Sequence, residues 1–85
     1  MRLDKFLQTS RIIKRRTVAN ELCDRGRVLV NGQKAKAGKE LAVGDILSIT
    51  LGERGTVEYE VLEVPSGNVS REKASSLYRQ LTIED

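Results

Sequence analysis

The apolar positions of this chain change period once, and the change divides it into a helical first third and a largely stranded remainder. Leu3, Phe6 and Leu7 fall at i, i+3 and i+4, which lines one face of a short helix and turns Arg2 and Lys5 elsewhere. Thr9 and Ser10 suit the close of that helix or the cap of the next turn. Ile12 and Ile13 add apolar contacts before the basic run Lys14-Arg15-Arg16. A second helix follows, with Thr17 at its head and Val18, Ala19, Leu22 and Cys23 at helical spacing. Arg25 suits its last turn and Gly26 the position just past its end.

From Arg27 the period is two, through Val28, Leu29 and Val30, and Asn31-Gly32 is a strong hairpin signal that sends a return strand through Gln33 to Lys36. Gly38 and Gly44-Asp45 punctuate the loops around Leu41 and Val43, and Ile46 to Leu51 reads as a half-buried strand. Gly52 to Gly55 makes a turn into the last predicted strand, Thr56 to Val64, with Val57, Tyr59 and Val61 on one face. The alternation slips at Leu62 and Glu63, which predicts a bulge or a strand end. Pro65 to Asn68 form a linker. Ser70-Arg71-Glu72-Lys73 opens a tail expected to run as helix to about Gln80, docked by Leu77 and Leu81. There is no internal repeat, and 85 residues leave no room for a second core.

Charge gives this layout a direction. Residues 1 to 39 carry eleven Lys or Arg against Asp4, Glu21 and Asp24, a net of +8; residues 40 to 85 carry four against nine, a net of −5. A sustained excess of one sign on a helical segment attracts polyanions, whereas a surface that only needs to be soluble mixes its signs. The competing reading is that the basic helices neutralise the acidic half of the same molecule. With Cys23 as the only cysteine, no internal disulfide is possible, and a buried core thiol is the expected role. The chain shows no apolar run long enough for a signal peptide or membrane span, so a soluble cytoplasmic protein is expected.

Catalytic chemistry finds little to work with. There is no histidine, the commonest general base and metal ligand, and Glu58, Glu60 and Glu63 read as the outer face of a strand. No glycine-rich nucleotide motif occurs. No enzyme, metal or cofactor is expected. Phosphate chemistry is well supplied: Arg11, Lys14, Arg15, Arg16 and Thr17 gather guanidinium forks, an ammonium, a hydroxyl and free N–H groups at a helix start. Arg2 and Lys5 from the first helix, and Arg27, Lys34 and Lys36 around the hairpin, extend the surface if the helices pack on the sheet. Phe6, Tyr59 and Tyr78 are the only aromatics and none adjoins the basic run, so base-stacking platforms are missing and folded RNA is favoured. Charge alone does not separate RNA from DNA.

The ordered series Arg2-Leu3-Asp4-Lys5-Phe6-Leu7, Arg11, Lys14-Arg15-Arg16-Thr17, Gly26-Arg27-Val28, Val30-Asn31-Gly32, Lys36 and Gly44-Asp45 resembles the S-four-type RNA-binding domain over about residues 1 to 64. Residues 65 to 85 would then be a linker and helical tail. The resemblance implies an α+β fold: two packed N-terminal helices, then a small, mostly antiparallel sheet, with a short C-terminal helix here. It also implies RNA contacts at Arg2, Arg11, Lys14, Arg16, Thr17 and Lys36, with Asp4 as an orienting partner and Gly26, Asn31 and Gly32 as architecture. Arg15 stands where the pattern usually has a small hydroxyl residue. Among stand-alone members the chain is most similar to the heat-shock-protein-fifteen-like group and its RqcP-type branch. That likeness implies a monomer binding the large ribosomal subunit, its ribosomal RNA and tRNA. It would assist an RqcH-type elongation factor in adding C-terminal alanine tails to stalled chains. A ribosome-associated or assembly factor without a tailing role, and a detached subunit of an RNA-modifying enzyme, remain alternatives.

Overall fold

The computed structural model describes residues 1–81. Helix α1 spans Leu3–Thr9, and Leu3, Phe6 and Leu7 are all 0% exposed, the expected face. Ser10 ends it: its amide donates to the Phe6 carbonyl (2.8 Å), its hydroxyl to the Leu7 carbonyl (3.3 Å), and its Oγ accepts the Ile12 N–H. Arg11 then turns the chain at φ 64°, a left-handed conformation that costs any side-chain-bearing residue energy. The turn brings Ile13 down into the core.

Helix α2 spans Arg16–Asp24 and packs on α1 through Ala19 and Cys23. Small side chains there let the helices approach closely. The expected inner face is narrower than the spacing suggests: Leu22 is only half-buried and Val18 is exposed. Val18 precedes Ala19 by one residue, about 100° round the helix, which carries it to solvent. Beyond the C-cap Arg25, Gly26 sits at φ 71°, with its N–H bonded to the Cys23 carbonyl and the Arg27 N–H to that of Leu22. These two bonds make a Schellman end that satisfies the helix's last carbonyls.

The sheet has five antiparallel strands in the order β2-β1-β3-β4-β5: β1 Val28–Val30, β2 Gln33–Lys34, β3 Ile46–Thr50, β4 Thr56–Val61 and β5 Tyr78–Gln80. The first hairpin turns on Asn31 and Gly32, both at positive φ, as a two-residue primed turn requires. Asn31 also clasps the next loop, since its Nδ2 donates to Asp45 Oδ1 (3.1 Å) and its Oδ1 accepts the Ile46 N–H (2.9 Å). Val28, Val30, Leu47, Ile49 and Val61 form the sheet's share of a core completed by both helices.

The tail departs from expectation. Ser70 caps a helix as predicted, accepting the Lys73 N–H, but the helix, α3, covers only Arg71–Ala74. The hydroxyls of Ser75 and Ser76 bond back to the Glu72 and Lys73 carbonyls and compete with further helix (3.2 and 2.6 Å). Leu77 drops into the core at 0% exposure, and Tyr78–Gln80 joins β4 as an edge strand, so β4 is not the last strand. The slip at Leu62 and Glu63 is a strand end: both amides donate to the Leu77 carbonyl. Leu81 does not dock, being 41% exposed.

Candidate nucleic-acid interface

Asp4 is the hub of the basic surface. Its carboxylate is 2% exposed, pairs with Arg2 Nε (3.3 Å) on Oδ1 and accepts from Arg16 Nε (3.1 Å) on Oδ2. Oδ1 also accepts the Lys5 backbone N–H (2.8 Å), and Oδ2 faces the Asn20 Nδ2 at 3.4 Å. Burial raises the Asp4 pKa, but the Arg16 guanidinium, Asn20 and the Lys5 amide outweigh it and hold the carboxyl below its ordinary range. The folded chain therefore keeps Asp4 ionised.

Sequence separation hides how these residues meet. Arg2 precedes α1, while Arg16 opens α2 and Asn20 lies one turn on, so helix packing brings them together. The N-terminal segment is pinned to the loop after β2 by the Leu3 and Asp4 amides, which donate to the Lys39 and Ala37 carbonyls (2.8 and 3.1 Å). The result is an open groove lined by Arg2, Asp4, Arg16, Thr17, Asn20 and Glu21. At its head, no side chain caps α2, leaving amides of the first turn facing outward.

Most of the other expected cations fall into three further groups. Lys5 shares a shallow hollow with Arg2, Arg16 and the linker residues Pro65, Ser66 and Gly67. Arg11 and Lys14 line a separate depression with Gln8, Thr9, Asn68 and Val69. Lys34 and Lys36 stand on the hairpin side, in hollows shared with Arg25 and with Lys39. Arg15 and Arg27 are exposed but line none of these hollows. Asn20, Arg25 and Lys39 were missed from the sequence. Asn20 had one usable signal, its i+4 spacing from Arg16 on the same helix face.

Outside the groove, Cys23 is 4% exposed, and burial together with the Asp4 and Asp24 charges pushes its thiol up to about 11. It is an inert core thiol, as expected. No helix among the described residues is long and apolar enough to cross a membrane.

Comparison with known proteins finds a family and close relatives of the whole chain. The family described as the S4 domain matches residues 1–47. A protein of Halalkalibacterium halodurans named RQC P-site tRNA stabilizing factor is 51% identical over 92% of this chain and 86% of its own length. The Bacillus subtilis protein of the same name is 43% identical over 99% of this chain and 95% of its own. Among solved structures, the trimeric Vibrio cholerae heat shock protein 15 superposes with a TM-score of 0.84 at 28% identity, over 95% of this chain and 81% of that one.

Proposed function

The chain belongs to the S4-domain family, and from that membership we propose that it is a non-enzymatic, cytoplasmic RNA-binding factor of the large ribosomal subunit acting in ribosome-associated quality control. The observation that carries this reading is the groove in which Arg2 and Arg16 stand side by side on a shared carboxylate, in a chain that aligns almost end to end with relatives named for stabilising P-site tRNA. The RNA-binding residues are Arg2, Lys5, Arg11, Lys14, Arg15, Arg16, Thr17, Arg27, Lys34 and Lys36. The module of residues 1–64 carries them.

In the finer form of the proposal, the protein sits against large-subunit ribosomal RNA and peptidyl-tRNA after the subunits have split. It steadies the tRNA while an RqcH-type elongation factor directs alanine tailing. It contributes phosphate contacts and shape, and the ribosome performs the chemistry. Guanidinium forks, hydroxyls and uncapped helix amides suit this task, since they hold a folded RNA by its backbone.

The test is affinity capture from cell lysate, with sizing of the bound RNA and identification of the proteins. Large-subunit RNA with tRNA and an elongation factor is the expected yield. Subunit RNA without tRNA or elongation factor would move the protein to general ribosome association or assembly. A stoichiometric catalytic chain in its place would make it a detached subunit of an RNA-modifying enzyme.

A further inference from the structure

The linker of residues 65–69 lies beyond residues 1–47, which the S4 domain matches, yet it walls two of the cationic hollows. Pro65, Ser66 and Gly67 adjoin Arg2, Lys5 and Arg16 in one; Asn68 and Val69 adjoin Arg11 and Lys14 in the other. Resting on the RNA-binding reading above, we propose that this linker is a further RNA-contacting segment. It meets ribose 2′-hydroxyls while the cations on its two flanks hold phosphates, and there the chain tells RNA from DNA.

Three observations carry the assignment. First, the linker is held in place at both ends. Val64 and Val69 pack against the core, and Ser70 follows at once as the cap of α3. Between these anchors Gly67 and Val69 are half-buried, while Ser66 and Asn68 are exposed. Secondly, its polar groups have no internal use. Among the described residues, no hydrogen bond engages the backbone or side chains of residues 65–69, so the amides, the Ser66 hydroxyl and the Asn68 carboxamide are left for solvent or a ligand. Beside them, in the Arg11 hollow, the Thr9 hydroxyl is shielded from solvent and has no partner among the described residues, an unmet group of the kind that calls for a functional explanation. Thirdly, the strip itself carries no charge. Glu40, which lines the Arg2 hollow, is held by the Met1 ammonium at 3.0 Å, and Glu63, just before the linker, by Lys73 at 2.9 Å.

The ligand chemistry follows from this pattern. A neutral strip of hydrogen-bonding groups between two sets of cations matches the shallow groove of A-form RNA, where 2′-hydroxyls lie between the two phosphate backbones. Reading of an unstacked base fits less well, because no aromatic side chain lines either hollow. The experiment measures binding of isolated large ribosomal subunits, of a short RNA duplex, and of the same duplex with 2′-fluorine in place of each 2′-hydroxyl, which keeps the A-form. It compares wild type with Ser66→Ala/Asn68→Ala and with Gly67→Leu, at several salt concentrations and with thermal melts. A Cβ added at Gly67 meets nothing within 4 Å, so the leucine crowds the strip from outside and should leave the melting temperature unchanged. Wild type should prefer the hydroxyl duplex about tenfold, the worth of one or two neutral hydrogen bonds. The double alanine variant should lose most of that preference, and both variants should bind subunits about tenfold more weakly with an unaltered salt slope, since no cation is removed. Wild type that retains subunits but shows no preference for the hydroxyl duplex, or variants that bind subunits like wild type, overturn the linker's role alone. Wild type that retains neither subunits nor either duplex overturns the RNA-binding reading and this role together.

Discussion

Two buried ionisable groups, Asp4 and Cys23, sit close enough to influence one another and respond to pH in opposite directions. The Cys23 thiol is raised to about 11, so the folded state keeps its proton where the unfolded chain has lost it. The stability this contributes is complete below the unfolded value of about 9.0 and lost as pH rises through about 11. At about 1.4 kcal/mol per unit, the loss is on the order of 2–3 kcal/mol. Urea unfolding of wild type and Cys23→Ala at intervals above pH 8 should show the steeper fall in wild type; parallel slopes would refute it. Asp4 has the opposite sign, since its folded pKa is lowered. Its contribution is present above the unfolded value of about 3.9 and disappears as pH falls through the lower folded one. The acid limb of the stability profile should flatten in Asp4→Asn. Neither behaviour was legible in the sequence. The thiol's burial was, and the family resemblance implied an orienting role for Asp4, but its burial depends on two helices closing over it.

Turn chemistry decides where the elements end, and there the sequence was readable wherever a single residue type is required. Gly26 is such a place. Its φ of 71° excludes most side chains, and an added Cβ would lie 3.2 Å from the Lys34 side chain, which passes over the helix end. Gly26→Ala should therefore destabilise the protein by about 1–2 kcal/mol in chemical denaturation, most of it from the left-handed backbone, since the flexible lysine can move. Asn31-Gly32 was legible for the same reason. The tail was not, because Ser-Arg-Glu-Lys starts a helix honestly and only the Ser75 and Ser76 hydroxyls, bonding backward, stop it. Its docking has measurable weight: Leu77 is 0% exposed, so Leu77→Ala should cost about 2–5 kcal/mol. A cost below 1 kcal/mol in a denaturant titration would mean that β5 is a loose appendage. Leu22→Asp, by contrast, should be milder than helix spacing alone suggests, since a half-buried position lets a carboxylate reach water.

At the scale of the whole molecule, the question is whether the +8 of the first 39 residues is already neutralised by the −5 of the rest. The ion pairs answer it by their locality. Glu60 and Glu63 are paired with Arg79 and Lys73 of their own half, while Arg2 and Arg16 share Asp4 of theirs. Sheet and helices thus settle most of these charges separately, while the Met1 ammonium on Glu40 (3.0 Å) is a pair that crosses between the halves. Within the groove Arg2 and Arg16 meet Asp4 and Glu21, so the surplus positive charge comes from Lys5 in the adjoining hollow and from Arg11, Lys14, Lys34 and Lys36 in hollows of their own. A phosphate backbone laid across that surface would release counterions at each contact. If at least five phosphates are met, the slope of log affinity against log salt should be about −4 or steeper. Each alanine substitution among the groove arginines should remove about one unit of slope together with its share of affinity. A flat salt dependence for wild type on large ribosomal subunits would mean that protein contacts hold the complex. The basic helical half would then be an internal electrostatic partner of the sheet, which the local pairing of Arg79 and Lys73 argues against.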